Sequence, residues 1–421
     1  MSLLLSNCSW CQKADSIAAT LLNDSRWFEL QDLYRTDSTA MSPFIRLFSK
    51  TMLHHVFNQP RAAADDIVGL LRGYQTEMGS NTTFSMMTLL VHDYADGGDY
   101  AKAASTAKTF ADQLEGKTDD KVTGDFRQQQ TLYGQMAEQP LFLTDGGGRH
   151  EIPFIWTRVG ESGDSLIHLA GTVNGHAERF VFDTGAGHNV ITPELARKYH
   201  LRILGTSVAV KGTRLVKGST AIAESITVGD IPMRNVPFTV LDVTAGNERI
   251  ADATAAFSLI LGQPFLQQYG RYTIDTDRET VTFESDVPHT GARHNIFRTS
   301  TLYAETEHSG KRFALNIDTG APKTAFGYAY YKTFAEEIAR EGRWDAVGTA
   351  GYGGITYESV FRMPHITIGI GKTSCTFDNV EVTALPFSNN LSDGYGRLGL
   401  DFLRRWHKVT IDNRNMTISV E

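Results

Sequence analysis

Along residues 12–138, apolar side chains recur at intervals of three and four residues, which is the spacing of amphipathic helices. Polar breaks separate the periodic stretches, so we predict successive helices joined by short turns. The predicted helices span 12–23, 41–57, 61–74, 82–95, 100–114 and 126–137. This part of the chain is therefore expected to form an all-α domain over residues 1–140.

Two joints between these helices resemble each other, because each has a helix, a turn and then an Ala-rich helix. The turns hold Pro60 and Asp99, and a spacing of about 40 residues suits stacked helical hairpins. The region resembles tetratricopeptide-type hairpins with an incomplete consensus. A different kind of helical bundle stays open as the alternative.

From about residue 150 the pattern changes to short alternating runs rich in Thr, Val, Ile, Tyr and Phe, which predicts β-strands. Turn sequences such as VNGH (173–176) and HSGK (308–311) separate these runs. Pro140 and the glycines at 146–148 break helices, so we predict a linker over residues 141–160. The chain is thus expected to be a multidomain α and β protein.

The β region contains an internal repeat. Residues 261–284 align without gaps to residues 398–421, with nine of 24 positions identical. The offset of 137 (398 − 261) nearly equals the offset of 135 (318 − 183) between two Asp-Thr-Gly motifs, which begin at Asp183 and Asp318. The shared offset predicts a duplicated lobe. The two predicted lobes span 161–290 and 291–421.

Each Asp-Thr-Gly motif ends an apolar run, and an apolar-apolar-Gly element follows later in each copy. One such motif is ordinary turn chemistry, but turns do not explain the paired recurrence. The motifs FDTGAG with LILGQPF, and IDTGAP with GRLGLDF, resemble those of retropepsin-like aspartic peptidases with both lobes fused in one chain. The resemblance covers roughly residues 160–421, and it implies a two-lobed all-β acid-protease fold in which each lobe is a small closed barrel.

The resemblance implies that Asp183 and Asp318 form a catalytic pair. Two carboxylates about 3 Å apart cannot both ionise cheaply, so they share one proton. The ionised group activates a water, and the protonated group hydrogen-bonds the substrate carbonyl. The expected activity is that of an aspartic endopeptidase on peptide or protein substrates, with neither a metal nor a cofactor. A catalytically silent peptide-binding scaffold on the same fold is the alternative.

The neighbours of the two aspartates are implied to support the pair. By the resemblance, Thr184 and Thr319 bridge to the opposite lobe. Ala186 and Ala321 stand where many pepsin-like enzymes have Ser or Thr, and the missing hydroxyl should raise the pKa of the pair. We therefore expect a pH optimum that is mildly acidic to neutral. Four glycines are expected to allow close backbone approach at the carboxylates or at the crossing strand: Gly185, Gly320, Gly262 and Gly399.

Each lobe is also expected to supply a hairpin that covers the cleft as a flap. The candidates are residues 208–220 in the first lobe and 348–359 in the second. Plain hairpins with structural glycines are the alternative. Asp275 and Asp412 also recur as a pair, and we interpret them as turn residues. The candidate flap residues are Lys211, Gly212, Tyr352 and Gly353.

Charge and composition limit the other functions. A net charge of −8 without a basic stripe gives little support to nucleic-acid binding. No apolar run reaches 18 residues, so no membrane span is expected. Three cysteines are too few for a disulfide framework, and Cys8 and Cys11 could form a bridge in an oxidising compartment.

Compartment, assembly and the role of the helices follow less directly from the sequence. The apolar start is too short for an export signal, so we expect a cytoplasmic protein, or an extracytoplasmic one (periplasmic or envelope) if a signal once preceded it. A duplicated lobe removes the need for dimerisation, which favours a monomer. The N-terminal helices are expected either to dock a protein partner or substrate, or to cover the cleft as a regulatory segment.

Overall fold

The computed structural model describes residues 9–144, 147–158, 165–211, 215–242, 257–351, 354–385 and 394–421. The chain forms two compact units, Met1–Pro140 and Leu141–Glu421. In the described residues, regular structure is helical in the first unit and mainly β-strand in the second. The predicted fold class, helical first and β-rich afterwards, is confirmed.

The described part of the first unit contains seven α-helices, and consecutive helices contact each other along the chain. Short connections join most of them, including a 3₁₀ turn over Ser38–Ala40. The helices are α1 (Ser9–Asn23), α2 (Trp27–Asp37), α3 (Pro43–Val56), α4 (Pro60–Gly73), α5 (Gln75–Asp96), α6 (Tyr100–Leu114) and α7 (Asp120–Ala137). Their assignment to tetratricopeptide-type hairpins stays a prediction.

Local capping explains where several helices begin. Ser42 accepts a hydrogen bond from the Ile45 amide at 3.4 Å, and Pro43 takes the first helical position of α3. Asp99 caps α6 by accepting from the Lys102 amide at 3.0 Å. Helix α2 was not predicted from the periodicity, because it is short and no side chain caps its first turn.

Small side chains give α6 a close-packed face. Ala103, Ala107 and Ala111 recur every four residues and are fully buried. They pack in one cluster with Val91 of α5 and Phe126 of α7. Residues four apart lie on the same side of a helix, so the Ala-rich sequence brings the backbone of α6 near both neighbours.

The second unit is described by twenty strands and five short helices. The strands up to residue 284 are β1 (Arg149–Arg158), β2 (Ser165–Val173), β3 (His176–Phe182), β4 (Val190–Ile191), β5 (Arg202–Lys211), β6 (Leu215–Val228), β7 (Ile231–Val240), β8 (Leu259–Leu261), β9 (Arg271–Asp275) and β10 (Thr280–Glu284). The later strands are β11 (Ile296–Arg298), β12 (Leu302–His308), β13 (Lys311–Ile317), β14 (Ala325–Phe326), β15 (Arg343–Gly351), β16 (Gly354–Ile370), β17 (Thr373–Thr383), β18 (Gly396–Leu398), β19 (Lys408–Asp412) and β20 (Thr417–Val420). The helices are α8 (Pro193–Lys198), α9 (Gln263–Leu266), α10 (Tyr328–Thr333), α11 (Ala335–Glu341) and α12 (Leu400–Leu403).

Strands β1–β10 form lobe 1 and strands β11–β18 form lobe 2, and the two lobes share an internal strand order. Lobe 1 contains the order β3-β8-β4-β7-β6-β5, and lobe 2 contains β13-β18-β14-β17-β16-β15. Additional pairings, β2 with β6 and β12 with β16, fold each sheet back on itself. The pairs β3–β8 and β13–β18 are parallel, so the strand before each Asp-Thr-Gly lies beside the apolar-apolar-Gly strand.

The segment expected as a linker, 141–160, contains the whole of strand β1. This strand pairs with β10 through its first half and with β2 through its second half. Along residues 152–155, buried and exposed side chains alternate: Ile152 and Phe154 are buried, and Pro153 and Ile155 are exposed. In the sequence, the glycines at 146–148 interrupt the helical pattern. The alternation of buried and exposed side chains that follows is that of a half-buried strand.

The C-terminal strands, expected in the second lobe, extend the sheet of lobe 1. Strand β19 pairs antiparallel with β9, with Val409 opposite Ile274 and Ile411 opposite Tyr272, and β20 adds to its other edge. All four of these side chains are fully buried. Burial of this apolar face favours the long-range pairing, and it adds the last two strands of the chain to the sheet of lobe 1.

Candidate active site

Two equivalent strand ends carry the predicted aspartates. Phe182, the last residue of β3, is fully buried, and the next amide, that of Asp183, donates to the Leu261 carbonyl at 3.1 Å. After β13, the Asp318 amide donates to the Leu398 carbonyl at 2.9 Å. The backbone of each aspartate is thus held by a hydrogen bond to the neighbouring parallel strand, β8 or β18, directly after its own strand ends.

The two carboxyl groups face each other between the lobes, and a hydrogen bond joins them. The amides of Gly185 and Gly320 donate to Asp183 and Asp318 of their own lobes at 2.8 and 3.1 Å. Each glycine also lies against the opposite aspartate. A Cβ at Gly185 would collide with Asp318, and one at Gly320 would collide with Asp183. Both positions therefore require glycine for the carboxyl groups to meet.

Thr184 and Thr319 exchange hydrogen bonds across the lobe boundary. The Thr184 amide donates to Oγ1 of Thr319 at 2.9 Å, and the Thr319 amide donates to Oγ1 of Thr184 at 3.1 Å. Each hydroxyl donates in turn to a carbonyl of the opposite lobe, to Ile317 at 2.7 Å and to Phe182 at 2.6 Å. Both threonines are buried, so water does not compete for the four bonds that hold the strand ends together.

The two other glycines allow the crossing strand to approach the loop that follows each aspartate. A Cβ at Gly262 would collide with the His188 carbonyl, and one at Gly399 would collide with the Lys323 backbone. These are the glycines of the apolar-apolar-Gly elements. Their role in packing the crossing strand against the loop stays a prediction.

Ala186 and Ala321 lie beside the pair and are both buried. Their carbonyls accept from the amides of Gln263 and Leu400, each at 2.8 Å. The amide of Ala186 donates to the main-chain carbonyl of Asp183 at 3.3 Å, and it lies near enough to the carboxyl group to lower the pKa of Asp183. Backbone groups therefore hold the turn after Asp183, where the side chain of residue 186 contributes no hydroxyl.

Burial and like charge raise the pKa of the aspartates. Burial first, and the charge of Asp318 second, raise the pKa of Asp183 to about 8, against the opposing effect of amide hydrogen bonds. Burial also raises the pKa of Asp318, while the Arg397 guanidinium acts against that rise. Two adjacent carboxyl groups with raised pKa values hold one proton between them over a wide pH range.

Comparison with known proteins identifies part of this architecture. Residues 169–265, which contain Asp183 and Gly262, match the family model for aspartyl proteases. The matched residues all lie within lobe 1. The match confirms the predicted resemblance to retropepsin-like aspartic peptidases, and it supports a protease-like function for the β-rich unit.

Three solved structures are similar to this chain at low sequence identity. The retropepsin-like aspartic protease from Rickettsia conorii is 19% identical; the match covers 34% of this chain and 93% of that chain, with a TM-score of 0.22. Basic 7S globulin from soybean is 10% identical; the match covers 65% of this chain and 96% of the globulin, with a TM-score of 0.38. The protein edgp is 11% identical; the match covers 65% of this chain and 95% of edgp, with a TM-score of 0.37. No curated protein matches the chain.

Two polar residues beside the glycines of the crossing strands were missed by the sequence analysis. Oδ1 of Asn189 accepts from the Gly262 amide, and Oγ1 of Thr324 accepts from the Gly399 amide, both at 3.0 Å. Their positions differ by 135 (324 − 189), the same offset as the aspartates. A search for polar residues at that offset could therefore have found them.

Arg397 is a further residue whose position beside the site was not predicted. It lies on β18, and its Nε is 4.0 Å from Oδ2 of Asp318. At the offset of 137, its counterpart in lobe 1 is Ile260, which is fully buried. The two residue types differ, so the internal repeat gave no signal for Arg397.

Antiparallel hairpins lie where the flaps were predicted. In lobe 1, Lys211 at the end of β5 is opposite Leu215 of β6. In lobe 2, Gly351 of β15 is opposite Gly354 of β16. The side chain of Lys211 lies outside the described part of the chain, and the flap roles stay predictions. Three candidates fall wholly outside the described residues: Gly212, Tyr352 and Gly353.

The other recurring aspartates close turns at the ends of β9 and β19. Asp275 accepts from the Arg278 amide at 2.9 Å, and Asp412 accepts from the Asn415 amide at 2.7 Å. Within the described ranges, no group of three His, Cys, Asp or Glu residues is placed to hold a metal ion. No helix in those ranges is long and apolar enough to cross a bilayer.

Proposed function

We propose that the chain is an aspartic endopeptidase, which hydrolyses peptide bonds with a water held between Asp183 and Asp318. The observation that supports this most strongly is the hydrogen-bonded pair of carboxyl groups, held by the crossed bonds of Thr184 and Thr319. The aspartyl protease match over lobe 1 supports the same chemistry. Internal duplication, in which each lobe supplies one aspartate, is part of the proposal.

In the proposed reaction the pair carries one proton and titrates as a unit. The ionised carboxylate takes a proton from the water as its oxygen attacks the scissile carbonyl carbon. The protonated carboxyl group gives its proton to the carbonyl oxygen, which forms a tetrahedral diol. The intermediate collapses when the first carboxyl group protonates the amide nitrogen and the other carboxylate takes back the diol proton, so the C–N bond breaks and the pair is restored.

The proposed substrate is an extended peptide that lies across the two lobes. Extended segments bind by main-chain hydrogen bonds, and side-chain pockets add preference. The hairpins β5–β6 and β15–β16 are the proposed flaps, since both lie in equivalent positions of the strand order. The first unit is proposed to bind a protein partner or to regulate the second unit.

Hydrolysis of a diverse peptide library, with and without pepstatin, tests the activity. The wild type is expected to cut some of the peptides, with inhibition by pepstatin. Asp183→Asn is expected to lower kcat/KM by about a thousandfold or more, because the pair loses one of its two carboxyl groups. Asp286→Asn, at an exposed position, is the control and should leave hydrolysis unchanged.

Two results would count against the proposed function. Hydrolysis that survives Asp183→Asn unaltered would show that the aspartate pair does not perform the reaction. A wild type that binds peptides and cuts none would favour the peptide-binding scaffold instead. A melting curve of the Asn variant, compared with that of the wild type, establishes that loss of hydrolysis is not loss of folding.

A further inference from the structure

Arg397 places a fixed positive charge beside one of the two aspartates. Its backbone lies opposite Asn316 of β13 and Ala325 of β14, next to the strand end that carries Asp318. The distance of 4.0 Å between its Nε and Oδ2 of Asp318 is longer than a hydrogen bond. Among the described residues, no other carboxylate lies within ion-pair distance of Arg397.

The Arg397 guanidinium retains donor capacity that the described residues do not use. Its Nε is shielded from solvent and has no hydrogen-bond partner among them, whereas the side chain as a whole is 40% exposed. Buried polar atoms are nearly always paired in folded proteins. A guanidinium presents its donors in a planar fork that fits a carboxylate. The exposed part of the side chain is open to a bound molecule, and the unused donors of the guanidinium can bind a carboxylate on that molecule.

The two lobes differ at this position. The counterpart of Arg397 in lobe 1 is Ile260, a fully buried apolar residue. A cation therefore lies near Asp318, whereas the equivalent position of lobe 1 is apolar and buried. A peptide that crosses both lobes would meet this cation on one side of its scissile bond only.

Building on the proposed function, we propose that Arg397 binds a substrate carboxylate next to the scissile bond. Successive residues of an extended peptide are about 3.3 Å apart, so a side chain this close to Asp318 reaches positions that flank the bond. The carboxylate belongs either to an Asp or Glu side chain or to the free C-terminus of a short substrate. Arg397 is thus a specificity-determining residue that selects acidic cleavage sites.

Matched peptides separate these carboxylate sources. One series carries Glu or Gln at each of the two positions that flank the scissile bond, and a second series ends at the flanking position with a free or an amidated C-terminus. For the wild type, kcat/KM is expected to favour one carboxylate-bearing member by about tenfold or more. Arg397→Ile, which installs the lobe 1 residue, is expected to abolish that preference. Arg397→Lys keeps the charge without the fork and should retain part of it.

The ratio between matched peptides isolates recognition from chemistry. Any effect of Arg397 on the ionisation of Asp318 applies to both members of a pair and cancels in their ratio. Arg414→Ile, which removes one positive charge from an exposed position, is the control and should keep the wild-type ratio. A ratio near one in the wild type, or an equal ratio in the wild type and Arg397→Ile, would overturn the proposal.

Binding measurements distinguish failure of this inference from failure of the proposed function. The same peptides are titrated into Asp183→Asn by fluorescence anisotropy, with and without Arg397→Ile in the same chain. If no peptide is cut by the wild type but carboxylate-bearing peptides bind more tightly through Arg397, the carboxylate site stands and the endopeptidase does not. If peptides are cut without any carboxylate preference, the endopeptidase stands and the role of Arg397 is refuted.

Discussion

At the scale of single residues, the site depends on side chains that hold the opposite lobe. The hydroxyl of Thr319 accepts from the Thr184 amide and donates to the Phe182 carbonyl. These two backbone groups belong to the lobe that carries Asp183. A change at Thr319 therefore acts on the aspartate across the boundary as well as on its own lobe.

Thr319→Val tests this coupling. The substitution keeps a branched side chain but leaves a buried amide and a buried carbonyl without a partner, and each unpaired buried group costs about 1–3 kcal/mol. We expect the free energy of unfolding, measured in urea, to fall by about 2–4 kcal/mol, and kcat/KM to fall with it because the carboxyl groups are less well held. Thr319→Ser keeps the hydroxyl and should lie much closer to the wild type. A Val variant as stable as the wild type would contradict the argument.

The raised pKa of Asp183 sets the expected pH dependence of hydrolysis. A pair that shares one proton is inactive when it gains a second proton and again when it loses the last one. Because burial and Asp318 raise the pKa of Asp183 to about 8, the alkaline fall in kcat/KM is expected near pH 8. A hydroxyl that donates to the ionised carboxylate favours that form and lowers its pKa.

Ala186→Ser should therefore move the alkaline fall to lower pH, because the amide of residue 186 already lies near enough to the Asp183 carboxyl group to lower its pKa. The pH profile of kcat/KM for one peptide measures the shift. Ala292→Ser, at an exposed position outside the proposed flaps, is the control. If the profile of the Ala186→Ser variant moves to higher pH, or does not move, the missing hydroxyl does not set the pKa of the pair. A wild-type optimum below about pH 3 would contradict the raised pKa itself.

The residues of the site differ in how far the sequence could predict them. Asp183 and Asp318, with their threonines and glycines, recur at one offset, and a repeat of that kind has few explanations other than a shared role. Asn189 and Thr324 recur in place but differ in type, so they were missed. Arg397 has no polar counterpart at all, and only the folded chain shows how near it lies to Asp318.

At the scale of elements, the last strand connects parts that are distant in sequence. Strand β20 pairs with β19 in the sheet of lobe 1. The side chain of Asn295, just before β11 of lobe 2, donates to the Ile418 carbonyl at 3.0 Å and accepts from the Ile418 amide at 2.8 Å. One asparagine thus pairs both backbone groups of a strand residue that belongs to the sheet of the other lobe.

Asn295→Ala removes both of these bonds. It is expected to lower the free energy of unfolding by about 1–3 kcal/mol, because the Ile418 backbone groups are left partly buried and unpaired. Thr367→Ala breaks an exposed contact with Thr376 and should change stability by less than about 0.5 kcal/mol. Equal effects of the two substitutions in urea denaturation would show that Asn295 does not join the lobes.

Periodicity predicted most elements but could not predict their partners. The three- and four-residue spacing located six of the helices, and α2 was missed for lack of a capping signal. Strand β1 was assigned to a linker because of the glycines before it. The pairing of β19 with β9 joins residues more than 130 positions apart, as Val409 and Ile274 show, and a strand pattern alone does not identify such a partner.

At the scale of the whole molecule, the residues of the candidate site all belong to the second unit, Leu141–Glu421. Both aspartates come from one chain, so a second copy is not required to complete the pair. The tetratricopeptide-type assignment and the role of the first unit stay predictions, because helical periodicity specifies a buried face but not what the exposed face binds.

Deletion of residues 1–140 tests how the units divide the function. The remaining chain keeps its own core and both Asp-Thr-Gly loops, so it is expected to fold and to cut short peptides with a kcat/KM within about tenfold of the full chain. A full-length Asp183→Asn chain is the inactive control, and a folded protein substrate is assayed beside the peptides. Loss of activity on the protein substrate alone would assign recruitment to the helices, and a rise on short peptides would assign inhibition. If the shortened chain unfolds cooperatively but cuts no peptide that the full chain cuts, then the helical unit contributes to the site itself, and the placement of all catalytic groups in Leu141–Glu421 is wrong.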